Sequence, residues 1–219
     1  MAMRAVLAEL ADTYQQQSGQ TVDIVSVGGV DAARRVSDGE AFDFVVLAAD
    51  AIDRLAADGH VDQETRIGLA RSAVAMAVAS GAPRPDVSSE AALRDAILGA
   101  RSIGYSTGPS GAHLARLFER WGIADTIASR IVQAPPGVPV AALVARGDVE
   151  LGFQQLSELL HVPGIDVVGP LPAEIQAMTV FSAAVCSTSN YPETAEALLA
   201  FFASPETEPA KRRHGMEPA

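Results

Sequence analysis

The sequence predicts an α/β protein of mainly parallel sheet flanked by helices, and three observations carry that expectation. Short apolar strand-like runs alternate with helical periodicity along nearly the whole chain, the pattern of successive βαβ units. Aromatic residues are 5% of the chain against 48% hydrophobic residues in all, so the core is built from Ala, Val, Leu and Ile, as in buried parallel strands. The 219 residues suffice for a large core, arranged as one big domain or two small lobes.

In chain order, Val6, Leu7, Leu10, Ala11 and Tyr14 recur at helical spacing, and Gly19 stops that helix. Val22, Ile24 and Val27 read as a strand ending at Gly28-Gly29, followed by a short helix over 30–37. An apolar strand over 42–48 leads to a helix that Asp50 caps and Gly59 ends. Residues 72–79 form a further strand, and the run from Gly81 to Asp86, with two prolines, is the most linker-like stretch. Ser88 or Ser89 then caps a helix through Leu98. Strands follow at 102–106, 130–132 and 150–153, separated by helices at 110–121 and 140–146. Strands at 165–168 and 178–187 and helices at 192–203 and 205–214 finish the chain.

Charge and composition exclude some function classes. A formal net charge of -11 argues against a nucleic-acid binder, which needs a positive face to displace counterions from phosphate. A small anion is still admissible, because a local nest of N–H groups outweighs a distant global field. Of the 16 basic residues, Lys211 is the one lysine. Cys186 stands alone after an apolar run, so no intrachain disulfide forms, and the thiol reads as buried and inert. No apolar run is long enough for membrane insertion.

Ligands of open parallel sheets bind at the carboxyl ends of strands, where helix N-termini present free N–H groups. Three junctions here are rich in small and polar residues. In the first, from Ser106 to Gly111, the hydroxyls of Ser106 and Ser110 and the backbone at Gly111 suit an oxyanion at a helix start; the plain alternative is a cap and turn. The second is Gly28-Gly29, where glycine allows close backbone approach and Arg34 or Arg35 would clamp a carboxylate; a plain turn with solvated arginines explains it equally. In the third, from Gly152 to Glu158, Gln154 and Gln155 both donate and accept, and one of the two faces the ligand because strand side chains alternate. Gln176 joins them from a later segment.

One motif competes with this reading. Gly104-Tyr105-Ser106-Thr107-Gly108 matches the G-x-S-x-G elbow of serine hydrolases, with His161 and His214 downstream. Gly108-Pro109 delays the helix that an elbow starts directly after its serine, and no oxyanion-hole segment accompanies it. No paired Cys/His set, H-E-x-x-H or Walker loop is present, so no metal and no cofactor are expected.

Several segments together carry a family resemblance: Gly39 to Asp43, Asp53 to Gly59, Gly81 to Asp86, Ala100 to Tyr105 with Ser110-Gly111, Gly152 to Leu159, Val168 to Pro172, and Gly215 to Pro218. The chain resembles the bacterial extracellular solute-binding proteins of molybdate-binding type, with the type II periplasmic-binding fold. The resemblance covers nearly all of the chain. It implies two α/β lobes, one of residues 1–79 with 180–219 and the other of 80–179. It also implies a small anionic ligand, oxyanion or carboxylate, held between the lobes for an ABC-type importer. Molybdate binders place hydroxyls in the first two strand-to-helix turns and a tyrosine after a later strand; Ala2, Gly29 and Gln155 stand at those places here. A branch similar to aconitate isomerase also lacks those hydroxyls, so an isomerase of an unsaturated di- or tricarboxylate is the enzymatic alternative, with Glu158 as a candidate base.

Members of this family open with a strand before the first helix, whereas Met1-Ala2-Met3-Arg4 enters that helix directly. The expectation is therefore a native product that begins upstream, with that strand and an export signal, and a periplasmic location. If Met1 is the true start, the location is cytoplasmic.

Overall fold

The computed structural model describes residues 1–135 and 137–219, and these divide into two compact units. The first comprises Met1–Ser72 and Val180–Ala219, the second Ala73–Thr179.

The first unit begins with α1 (Arg4–Ser18), whose Val6, Leu7, Leu10 and Ala11 are buried. Gly19 ends the helix in the left-handed region (φ 72°), a conformation glycine adopts without a Cβ clash, and its N–H bonds the Gln15 carbonyl. After it come α2 (Gly29–Ser37), β1 (Phe44–Ala48) and α3 (Ala49–Ala57), and the chain then enters β2 (Ile67–Ala79). β1 pairs antiparallel with β7 (Met178–Val185), with Leu47 opposite Ser182. α9 (Pro192–Ala203) and α10 (Glu208–Arg213) close the unit, and β8 (Glu217–Pro218) pairs antiparallel with β2. One face of the sheet packs on α1 and α9 through Leu7, Leu10, Leu199 and Phe202, and the other on α2 and α3 through Val36, Leu47, Ile52 and Leu55.

The second unit takes the remainder of β2, then α4 (Glu90–Gly99), β3 (Ile103–Tyr105), α5 (Pro109–Arg120), α6 (Ala124–Ile127) and β4 (Ile131–Gln133). α7 (Val140–Ala145), β5 (Leu151–Gln155), α8 (Leu156–Leu159) and β6 (Ile165–Pro170) follow. The strand order is β6-β2-β5-β3-β4. β3 is parallel to β4 and β5, while β2 is antiparallel to β5 and β6. α4 and α5 cover one face and α7 the other. α7 approaches closely, because a Cβ on Gly152 would lie 2.3 Å from Val144 Cγ2 and one on Gly104 3.4 Å from Val140 Cγ1.

The α/β class is as expected, with three corrections. The sheets are mixed, where the alternation of elements pointed to mainly parallel pairing. Helical crossovers make β5, β3 and β4 parallel, but β2 enters from the first unit and runs against its neighbours. Residues 22–27 form no ladder among the described residues; Val22 and Ile24 pack on the first unit's core, and the Val22 N–H bonds Gln15 Oε1 at 2.9 Å. Alternating apolar residues favour an extended backbone, but a strand also requires a neighbour. Asp50 does not cap α3: Ala48 holds the cap position, and Asp50 pairs with Arg54 at 3.1 Å one turn on. Ser89 does cap α4, accepting from the Ala92 N–H at 3.2 Å.

Candidate functional site

In the second unit the carboxyl ends of β3 and β5 lie side by side, Tyr105 opposite Phe153. The loop from Ser106 to Gly108 leads from β3 into α5, with Gly108 at the cap and Pro109 at the first helical position. The first turn of a helix leaves N–H groups without intrahelical partners, and with proline at the first position these belong to Ser110 and Gly111. Ser110 is 2% exposed, and its hydroxyl has no hydrogen-bond partner among the described residues. It does not cap the helix, contrary to the plain reading of this loop. A Cβ on Gly111 would lie 1.7 Å from the Ser106 carbonyl oxygen. That glycine therefore makes room for the protein's own backbone, and its N–H is the group it offers. The Ser106 hydroxyl accepts from the Gly108 N–H at 3.3 Å and has no imidazole partner, which removes the elbow reading. His113 instead bonds the Ile175 carbonyl (2.8 Å), and His214 bonds Glu9 in the first unit.

Gln154 and Gln155 separate to opposite faces, as alternation requires. Gln154 turns toward α7, where its Oε1 accepts a long 3.4 Å bond from the Ala141 N–H, and it also hydrogen-bonds Glu158. Burial raises the pKa of the half-buried Glu158, while the Gln154 bond opposes that shift. Gln155 lies on the face of Phe153, which packs against Leu114, Leu117 and Phe118 of α5. It is 2% exposed; its Nε2 donates to the Thr179 hydroxyl at 2.7 Å, and its buried Oε1 has no partner. Ser110 and Gln155 thus place two incompletely satisfied polar groups on the α5 side at one end of the sheet.

Gln176 is not available to a ligand. Its Oε1 accepts from the Val74 and Ala177 N–H groups (both 2.9 Å), and its Nε2 donates to the Val74 and Leu171 carbonyls (3.0 and 3.2 Å). Two donors and the acceptor pair exhaust the amide, so this side chain pins a loop to β2.

In the first unit Gly28 caps α2 and Gly29 begins it, leaving first-turn N–H groups free. A Cβ on Gly29 would make an ordinary 3.7 Å contact with Leu47 Cδ2, so that position does not require glycine for space. Arg34 and Arg35 lie in the last turn of α2, remote from its N-terminus. Arg34 pairs with Asp31 and Asp38. Arg35 grips Glu40 with two guanidinium nitrogens, the Nε bond being 2.6 Å, and lies 5.0 Å over the Phe42 ring. That fork is committed, which overturns the expected carboxylate clamp. The sequence gives no sign of Ser182, whose fully buried hydroxyl has no partner among the described residues and which faces the same side of the sheet as Leu47. A serine within an apolar strand gives no sign of being left unsatisfied.

Among the described residues a cavity of about 450 Å3 opens at the other end of the second unit's sheet, by the amino ends of β3 and β5. Its arginines are engaged, Arg84 with the Val167 carbonyl and Arg101 with Glu150, and none of the candidate ligand residues lines it. No helix is long and apolar enough to cross a membrane among the described residues.

Comparison with known proteins agrees with this architecture. An aconitate isomerase from a Pseudomonas species is 40% identical over 218 residues, spanning 97% of this chain and 83% of the relative. The periplasmic molybdate-binding protein of Azotobacter vinelandii superposes with a TM-score of 0.82 at 20% identity, covering 98% of this chain and 95% of that one. The tungstate-binding protein of Desulfovibrio alaskensis gives a TM-score of 0.66 at 14% identity, with 93% and 86% covered. At such identities the two structures speak for the fold, that of two-lobed periplasmic binding proteins. The pattern describing bacterial extracellular solute-binding proteins matches residues 1–217, and the chain belongs to that family.

Proposed function

We propose that the chain binds a small carboxylate or oxyanion at the carboxyl ends of β3 and β5, as the solute-recognition component of an ABC-type importer acting outside the cytoplasmic membrane. The observation that carries this reading is the first turn of α5 at the end of β3, where the Ser110 and Gly111 N–H groups have no intrahelical partner and the Ser110 hydroxyl has none among the described residues. A hydroxyl and two N–H groups without protein partners at one strand end are donors that an anion would pair, and the Gln155 amide lies on the same face of the sheet. The Ser110 and Gly111 N–H groups and the dipole of α5 supply positive potential without a cationic side chain. Within the first unit Gly28 and Gly29 begin α2 with first-turn N–H groups of the same kind, whereas the side chains of Arg35 and Gln176 are already engaged.

A second reading, an isomerase of an unsaturated tricarboxylate, is favoured by the relative at 40% identity and by the raised pKa of Glu158. A carboxylate of raised pKa suits proton transfer near neutral pH. Glu158 would take a proton from one carbon as the double bond shifts, and a proton would return to the carbon at the far end of the allylic system. A panel of cis-aconitate, trans-aconitate, citrate, tricarballylate, molybdate and tungstate, followed by thermal unfolding, tests the binding claim. At least one member is expected to raise the Tm, and a panel with no effect removes it. Proton NMR of both aconitates in deuterated water separates the readings: interconversion with deuterium uptake establishes the isomerase, and stabilisation without turnover establishes binding alone.

A further inference from the structure

We infer that Gln155 and Thr179 form a reversible donor–acceptor adapter, through which one buried amide serves acids with and without a hydroxyl group. The inference rests on the ligand site proposed above. Gln155 Nε2 donates to the Thr179 hydroxyl at 2.7 Å and leaves Oε1 buried without a partner among the described residues. That arrangement offers the ligand an acceptor, which a bare carboxylate or oxyanion cannot use and a hydroxyl can. A hydroxyl oxygen both donates and accepts. A half-turn of the Gln155 amide therefore preserves the bond to Thr179, with the threonine O–H now donating to Oε1. The group left for the ligand becomes Nε2, a donor suited to carboxylate oxygen. The two states exchange atoms of nearly equal size, so the packing around a residue only 2% exposed is unchanged. No charge moves, and the ligand selects the state.

Citrate and tricarballylate are the discriminating probes, since they share three carboxylates and differ by one hydroxyl. The wild type is expected to bind both within about tenfold, measured by calorimetry. Gln155→Glu accepts in either orientation, so tricarballylate is expected to lose at least tenfold more affinity than citrate. Gln155→Met, which has neither group, is expected to weaken both alike. In wild-type protein labelled with nitrogen-15, the Gln155 side-chain amide protons are expected to move downfield with tricarballylate and not with citrate, a readout independent of whether Gln155→Glu folds. Equal loss of both acids in Gln155→Glu, or the same amide shift with both ligands, overturns the adapter and leaves the binding site standing. A wild type that binds neither acid removes the adapter, and the site falls with it only if the aconitates, molybdate and tungstate also leave the Tm unchanged.

Discussion

Gln176 exchanges two hydrogen bonds with the backbone of Val74, accepting from its N–H at 2.9 Å and donating to its carbonyl at 3.0 Å. One amide side chain thereby does for β2 what a neighbouring strand would do. Val74 is fully buried, and its carbonyl has a second donor in the Leu171 N–H, whereas its N–H depends on Gln176.

Gln176→Leu therefore orphans one buried N–H, and denaturant unfolding is expected to show a loss of about 1–3 kcal/mol. Gln176→Glu keeps the acceptor for that N–H and is expected to lose less. The folded protein should bind ligand as before, because this amide is already fully engaged.

Gly111→Ala is expected to be far more damaging than alanine at the other glycines of these loops. Its Cβ would meet the Ser106 carbonyl at 1.7 Å, against 3.4 Å to Ser106 Oγ for Gly108 and 3.7 Å to Leu47 for Gly29. The first is a clash with backbone and the others are close to ordinary contact. We expect Gly111→Ala to cost about 3 kcal/mol or more, with less than about 1 kcal/mol for Gly29→Ala, measured by chemical denaturation.

The Glu9 carboxyl is held below its ordinary range by its bonds to Arg213 and, at 2.8 Å, His214. A carboxylate with a depressed folded-state pKa stabilises above its unfolded pKa and loses that contribution as pH falls through the folded value. Glu9 is partly exposed, so screening limits the effect to less than about 1 kcal/mol. Glu9→Gln should reduce stability at neutral pH and flatten the acid limb below about pH 4.5, as read from the denaturation midpoint against pH.

Cys186 is 3% exposed, and burial, with the nearby Asp43 carboxylate, pushes its thiol pKa up to about 12. The native protein should react with a thiol reagent at pH 8 far more slowly than the unfolded chain, since the thiolate is the nucleophile. Rapid native modification would show that this strand end opens.

The legible and illegible parts of the sequence divide along physical lines. Amphipathic spacing at Val6, Leu7, Leu10 and Ala11 yields α1 directly, and the small-residue loop at Ser106–Gly111 marks a strand-to-helix junction, because both signals are local. From sequence Arg35 reads equally as a clamp or a solvated cation, since its partner Glu40 and the Phe42 ring lie past the end of its helix. Gln176 looked like a ligand group because its partner Val74 is 102 residues away. Thr179 was passed over for the same reason, its meaning coming from Gln155 across 24 residues. A hydroxyl or an amide has the same sequence signature whether a ligand or the backbone satisfies it.

That distinction supplies the most direct test. Ser110 is a buried residue whose hydroxyl has no hydrogen-bond partner among the described residues, so Ser110→Ala breaks no hydrogen bond among them. Paired unfolding and calorimetry on Ser110→Ala, with whichever acid of the panel stabilises the wild type most, should show unchanged or slightly raised stability without ligand and at least about tenfold weaker binding, as expected for one lost hydrogen bond to a charged group. A variant that binds as tightly as the wild type would contradict the placement of the ligand at this strand end.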